Sequence, residues 1–543
     1  MTSTSSKSGH PGLSSPPGLI FGLLGGLIFA AYVLLHWPLL RLPYFWDEAG
    51  YYIPSARDFL LTGSVIPHSA PSNAHPPLVM MYLAAWWKVA GFSVPVTRIA
   101  MLALASLALL GVFRLARTVA NTEVAVASTL CTALYPVFFS QSTMALIDLA
   151  AAGFALWGLS FYLENHVGPS VAWFSLAVLT KETAVLVPAA LFCWEIAAGS
   201  ISKRGRRDIS VHKPTRTSVA LLIPLMVVSL WYGFHYWRTG YVFGNPEFFR
   251  YNVQATMNPL RILLALAMRL WQAVGYLHLW VLTLLMAWAM TRPPLRDGDA
   301  ERQKISVPVQ LVFGVVILTF AIALAIVGGA VLARYMLTAV PLVIILSVST
   351  LWRRIRAWRW LIAAVCAAFV LGWFLNPPYG FSPEDNLAYR DFVQMHEDAA
   401  RFLEQRFSSA RVLTAWPASD EITQPNLGYV ARPMRVVRIE DFTIEQVMSA
   451  ADARSQFDVA LVFSTKYEPA HPLLTRSHAW ERVKTRLFGY HRDLPPEIAA
   501  QLLGGRIVFT EARNGLWVAV IQLEQIEEAR LGIGRSLHGP PSH

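Results

Sequence analysis

Long apolar runs dominate the first 376 residues of the chain, and short alternating strands and amphipathic helices dominate the remainder. A bilayer-crossing helix needs about 20 mainly apolar residues. About eleven segments approach that length, near 18–37, 95–116, 123–140, 144–163, 169–181, 183–199, 217–236, 262–290, 307–327, 335–351 and 359–376. Lys181-Glu182 interrupts one apolar stretch, so residues 169–199 form either two short helices or one long one. The basic residues decide between them. With the N-terminus inside, four groups fall in inner loops: Arg114 and Arg117; Lys203 to Arg216; Arg292 to Lys304; and Arg353 to Arg359. That is the positive-inside pattern. A single crossing at 169–199 would turn the last three groups outward, so two helices are expected, with Lys181 and Glu182 at the outer surface.

The first outer loop, residues 39–94, has amphipathic spacing around Arg57-Asp58-Phe59-Leu60 and again from Leu78 to Val89, as interfacial helices would. Between them SVIPHSAPSNAHPPL is proline-rich, and His75-Pro76-Pro77 reads as a rigid turn. After residue 376 the pattern changes. NPPYGFSPEDN breaks the last span, a helix is expected near 386–407 and another near 441–450, and RVLTAWP, RVVRI and FDVALVF read as strands. RIVFT and GLWVAVIQL flank EARN as a hairpin. Three regions result: a disordered N-terminus at 1–17, a membrane all-α domain at 18–376, and a soluble α/β domain at 377–543. An odd number of spans puts the last of these outside the cytoplasm, and the first apolar run reads as a retained signal anchor.

Composition agrees with a multi-pass membrane protein: 543 residues, 55% hydrophobic, 15% charged, 19 Trp, and mean hydropathy +0.43. The net charge of +11 sits in short loops rather than on one stripe, which argues against nucleic acid as a partner. Cys131, Cys193 and Cys366 all lie in apolar runs and read as small buried hydrophobes. No internal repeat of fixed period is visible.

The chemistry lies in the polar residues. Asp47 and Glu48 follow three aromatic residues at the end of the first span, where a carboxylate beside lipid is costly unless it is bonded. Asp148, Lys181, Glu182, His235, Arg238 and Arg334 all fall at helix tips of the same leaflet. Charges with only structural roles would scatter over both. Carboxylates suit deprotonation of a hydroxyl or capture of a divalent cation, whereas Lys and Arg suit a phosphate. With no nucleotide-binding glycine motif, the phosphate is expected to belong to a lipid.

On WDEAGYY, ARDFLLTG and HPPL in the first loop, then LIDLAAAGF, LAVLTKETAVLVP, FHYWRTGYVFGNPEF and ARYMLTAVPL, the chain resembles the polyprenyl-phosphate-sugar-dependent glycosyltransferases of the GT-C fold. In particular it resembles the bacterial branch that includes protein O-mannosyltransferase-like enzymes and the lipid A aminoarabinose transferase. The similarity runs from residue 15 to about residue 350. It implies a GT-C-like bundle in the plasma membrane, with an inverting transfer of sugar from a polyprenyl-phosphate donor to an extracytoplasmic acceptor hydroxyl on a glycan, lipid or protein. Asp47 takes the family's catalytic carboxylate position, Glu48 that of a second carboxylate or metal ligand, and Asp148 the second acidic position. Lys181 and Arg334, joined by Arg238, match positions for the lipid phosphate. His75, with Tyr51, Tyr52, Glu182 and His235, is assigned to shaping the loop or meeting substrate. Glu48 and His235 are the candidate ligands for a divalent metal ion. One departure is that Asp148 is followed by Leu149-Ala150, without the proline found nearby in some relatives. The rival readings are a polytopic transporter or flippase, for which Arg269 and His278 would be mid-span polar residues, and a non-catalytic scaffold.

Overall fold

The computed structural model describes residues 17–203, 216–244, 246, 250, 256–469 and 478–524. The expectation of a disordered N-terminus, most of the basic segment between Lys203 and Arg216, and the end of the C-terminal region lie outside the described residues.

Each expected apolar segment coincides with helix. The order is α1 (Pro17–Leu35), α2 (Ile53–Thr62), α3 (Leu78–Ala90), α4 (Val94–Val119), α5 (Thr122–Leu134), α6 (Pro136–Gln141), α7 (Asp148–Leu163) and α8 (Val167–Thr180). It continues with α9 (Leu186–Lys203), α10 (Arg216–Ala220), α11 (Ile223–Thr239), α12 (Pro259–Val274), α13 (Leu279–Met290), α14 (Val307–Ile326), α15 (Val340–Arg354) and α16 (Trp358–Phe374). Local chemistry sets the boundaries. Ser93 caps α4 by accepting from Val96 N, and Asn121 caps α5 by accepting from Val124 N at 3.0 Å. Asn258 caps α12, with Pro259 at the first helical position. These are the partners that exposed N–H groups of a helix start require.

Four helical stretches among the described residues are long and apolar enough to cross a membrane alone, and α12 with α13 makes a fifth if the bent pair is one span. The expected span at 262–290 is therefore not one straight helix. It bends by 75° where α12 ends at Gly275, and Leu277 and His278 take left-handed conformations at φ 43° and 68°. Proline likewise divides two other segments: Pro136 separates α5 from α6, and Pro224 opens α11 after a break from α10. The expectation of eleven simple spans is thus coarser than the structure, in which several crossings are made of broken or short pieces.

In the first outer loop, α2 and α3 stand where the interfacial helices were expected. Buried Asp58 orders the proline-rich link between them by accepting from His68 N, Ser69 N and Ser69 Oγ at 2.6, 2.7 and 2.9 Å.

The C-terminal region opens with a 3-10 turn, Pro383–Asp385, and helix α17 (Ala388–Arg406). It then builds a five-stranded sheet from β1 (Arg411–Ala415), β2 (Arg435–Ile439), β3 (Val459–Phe463), β4 (Gly505–Arg513) and β5 (Leu516–Leu523), in the order β2-β1-β3-β5-β4. β1 runs parallel to β2 and β3, while β5 is antiparallel to β3 and β4. β3 is buried along its whole length, which explains its unbroken apolar sequence.

This sheet domain sits directly on the loop after α1. Tyr44 N donates to Leu427 O at 3.2 Å, and Tyr429 Oη donates to Tyr44 O at 3.0 Å. Trp416 packs edge-on to Trp46, centroids 5.2 Å apart, and its ring lies so close to Gly50 that a Cβ there would meet it at 2.8 Å. Gly50→Ala is therefore expected to destabilise the protein by about 1–3 kcal/mol, the usual cost of overpacking. In a Trp416→Ala background the same change should cost less than about 0.5 kcal/mol, since the clashing ring is gone. Thermal unfolding of the four variants in detergent measures the difference, and additive costs would contradict the contact.

Candidate active site

Asp47 and Glu48 are adjacent, yet the backbone sends them to different partners. Trp46 holds a left-handed φ of 48°, unusual for a bulky residue, and Glu48–Tyr52 form a single π-helical turn. Glu48 is turned inward. Its Oε1 accepts from Arg98 Nη1 and from Ala145 N, both at 2.5 Å, and its Oε2 accepts from Phe45 N at 2.9 Å. Arg98 also donates from Nη1 to the carbonyl of Thr143 and from Nη2 to those of Leu42 and Pro43, at 2.9, 3.1 and 2.8 Å. Both side chains are buried. This ion pair staples the first loop to α4 and to the chain entering α7.

Asp47 joins a second cluster. Arg334, in the 3-10 turn Ala333–Met336, donates from Nη2 to Asp47 Oδ2 at 2.5 Å, lies with Nε 3.3 Å from Asp148 Oδ2, and pairs through Nη1 with Glu384 Oε2. Lys181 Nζ reaches Asp148 Oδ1 at 2.5 Å and sits 3.9 Å over the Tyr335 ring. Asp148 is the first residue of α7 and Lys181 caps the end of α8, so two helix ends and two loops converge on one guanidinium. Of the three acids, Asp47 keeps 24% of its side chain exposed, against 4% for both Asp148 and Glu384. It is the carboxylate that an entering molecule can reach.

Glu384 and Asp385 escaped the sequence reading, which took SPEDN as a linker after the last span. The only signal was an acidic pair behind a proline, just where an apolar segment ends. Ser140 Oγ and Gln141 Nε2, both on α6, hold Glu384 O at 2.6 and 3.2 Å, and Asp385 Oδ2 accepts from Tyr276 Oη at 2.6 Å. Burial pushes the Glu384 carboxyl up to about 8 despite the opposing charge of Arg334. Burial likewise pushes Asp385 up to about 7 against the hydrogen bond from Tyr276. A boundary at 377 therefore cuts through the site, because the cluster takes a residue from each side of it.

The other expected residues lie around this centre. His75 Nδ1 and Glu182 Oε2 pair at 2.8 Å, and the His75 ring stacks on buried Tyr52 with centroids 6.2 Å apart. Tyr51 is half-buried beside Trp416. His235 braces the loop, with Nε2 2.8 Å from Ser72 Oγ and Nδ1 2.7 Å from Tyr241 O. Arg238 does not join the cluster. It is exposed on the lipid-facing or solvent side of α11, its guanidinium 5.9 Å from the Trp237 ring centre, while His235 takes the inward face of the same helix.

Glu48 and His235 do not make a metal site. The Glu48 oxygens and both His235 nitrogens already have partners, and among the described residues no group of three or more His, Cys, Asp or Glu is placed to hold a metal ion. Arg269, the mid-span cation of the transporter reading, is buried and holds the loop before Arg334: it donates to Leu332 O at 2.6 Å, Ala330 O at 3.2 Å and Gln272 Oε1 at 2.9 Å. Its role is to position that loop, which removes the reason for a translocation path.

The family model for dolichyl-phosphate-mannose-protein mannosyltransferase matches residues 74–232. No curated protein sequence matches the chain. Among solved structures, ArnT from Cupriavidus metallidurans bound to undecaprenyl phosphate is similar at a TM-score of 0.54 and 14% identity, covering 96% of this chain and 99% of that one. The same protein in its apo state gives 0.54 and 14%, over 93% and 97%. The oligosaccharyltransferase AglB from Archaeoglobus fulgidus, solved with an inhibitory peptide and a dolichol phosphate, is more distant at 0.45 and 11%, over 92% and 74%. The likeness to ArnT extends over nearly the whole length of both chains, sheet domain included.

Removing Glu48 would leave Arg98 buried without its counter-ion, so Glu48→Ala is expected to lower stability by about 3–5 kcal/mol. Thermal unfolding of the purified variant measures this, and a loss under about 0.5 kcal/mol would show that the pair is not a structural staple.

Proposed function

We propose that this chain is a polyprenyl-phosphate-sugar-dependent glycosyltransferase of the GT-C superfamily, a reading that its family-model match and its fold support, and that it transfers sugar by a single inverting displacement at the Arg334 cluster. The observation that carries this reading is the meeting of four separate segments in one cluster: Arg334 pairs with Asp47 and Asp148, and Lys181 joins them through Asp148. Asp47, the exposed acid, accepts the proton of an acceptor hydroxyl as that oxygen attacks the anomeric carbon. The bond from that carbon to the phosphate oxygen breaks, and polyprenyl phosphate leaves with its charge held by Arg334 and Lys181. Arg can grip a phosphate with two parallel N–H bonds, which Lys cannot.

Asp148 serves both cations at once, so it is assigned to fixing their positions rather than to proton transfer. Arg269 adds positive charge beside Tyr335, its guanidinium 5.3 Å from the ring centre. Among the described residues it has no carboxylate partner, so its charge favours an anion nearby. Tyr52 is near enough to Asp47, Arg334 and Asp148 to feel their charges, and Glu182, next to Lys181, pairs with His75 of the first loop.

The topology supports an extracytoplasmic site in the plasma membrane. Asp148 begins α7, whereas at the other end of that helix Glu164 pairs with Arg114 near the end of α4, one of the basic groups assigned to the inside. The site and the basic loops thus lie at opposite helix ends.

General-base catalysis contributes typically about 10²–10⁴-fold, equivalent to about 3–5 kcal/mol of barrier. Asp47→Asn should therefore lower transfer from a panel of polyprenyl-phosphate sugars by that factor in the purified protein, with the donor still bound. An unchanged rate would remove Asp47 from the role.

A further inference from the structure

Acids outnumber bases at the centre of the site. Asp47, Asp148 and Glu384 surround Arg334 and Lys181, and Asp385 stands one residue from Glu384, facing Tyr276 rather than a cation. A phosphate binding beside these groups adds negative charge to a buried and already acidic cluster. Like charges at short range with little water between them repel strongly. For the phosphate to bind at Arg334, one acid must give up its charge.

Glu384 is the acid placed to do so. Its Oε2 faces Arg334 Nη1, while its Oε1 is buried without a hydrogen-bond partner, as is Oδ1 of neighbouring Asp385. A dry, unpartnered oxygen is costly for an ionised carboxylate and cheaper for a neutral one. Asp148 stays charged because Lys181 remains on it, and Asp47 reaches solvent. The charged groups acting on Glu384 are Arg334, Asp385, Asp47 and Asp148, with Tyr276 and Arg269 acting on Asp385 beside it. Three of the four direct neighbours are acids, so the carboxyl is already disposed to hold a proton.

We infer that a lipid phosphate binds at this site only with Glu384 neutral, so that an ionised Glu384 takes up one proton on binding and frees the Nη1 edge of Arg334 for the phosphate. This rests on the proposed function, since it takes a lipid phosphate as the ligand. The exchange balances: the Arg334–Glu384 ion pair, one phosphate anion and one proton from solvent give an Arg334–phosphate ion pair and a neutral Glu384. No covalent bond changes. Glu384 is thus a positioning residue, acting on the phosphate through Arg334.

The test uses the full-length protein in lipid nanodiscs and the methyl diester of a polyprenyl phosphate, whose phosphate does not titrate near neutral pH. Any proton taken up then belongs to the protein. Calorimetry in buffers of different ionisation heat should find close to one proton per diester at about pH 9, falling as the pH drops below about 8, where Glu384 is already neutral. Affinity should weaken by up to about tenfold per pH unit above that point. Glu384→Gln should lose most of the uptake and the pH dependence while still binding the diester, whereas Glu384→Asp should keep both. Diester binding to the native protein at about pH 9 without proton uptake would overturn the inference, whatever the variants do. If the diester does not bind, or binds equally well to Arg334→Met, the lipid-phosphate reading itself fails, and this inference with it.

Discussion

The structure depends on one buried guanidinium. Arg334 reaches Asp47 from the first outer loop, Asp148 from the start of α7 and Glu384 from the turn after the last apolar helix, residues almost 340 positions apart at the extremes. Taking a cation out of water is expensive, and the expense is recovered only with close, well-aligned partners. Once those partners are present, their geometry is fixed, and so is the position of every segment that supplies one. The cluster therefore organises the site as well as furnishing its chemistry.

A second buried pair protects the first. Glu48 and Arg98 hold the loop so that Asp47, its immediate neighbour, points toward Arg334 instead of sharing the same staple. The left-handed Trp46 and the π-helical turn that follows are the backbone distortions that separate the two acids. From above, the sheet domain closes on the same turn through Trp416 and Tyr429, and Glu384 extends from its base into the cluster. That domain is accordingly a part of the cluster's construction, joined to the first loop by hydrogen bonds to the Tyr44 backbone and by aromatic packing.

Much of this was legible in the sequence, for definable reasons. An ionisable residue at the end of an apolar run is conspicuous, so Asp47, Asp148, Lys181 and Arg334 announced themselves, and the shared leaflet suggested one centre. The strands of the sheet domain were equally plain, because β3 is a continuous apolar run and the β4–β5 hairpin alternates around a tight turn. Three features were not legible. Glu384 and Asp385 look like solvated linker acids until the fold buries them. Arg238 looks like a fifth member of the set, but it stands exposed in the last turn of α11, beyond the point where buried His235 meets the loop. The bend between α12 and α13 comes from left-handed residues at Leu277 and His278, which no hydropathy pattern reports. Glu48 was singled out together with Asp47, yet spacing alone could not separate an acid facing inward from its neighbour facing the cluster.

The most direct test of the account is an experimental map of the protein in nanodiscs with a polyprenyl phosphate bound. The phosphate should lie within charge-assisted hydrogen-bond reach of the Arg334 guanidinium, about 2.7–2.9 Å, with Asp47 open to the acceptor side. A phosphate located away from Arg334 and Lys181, with the four-residue cluster intact and undisturbed, would contradict it.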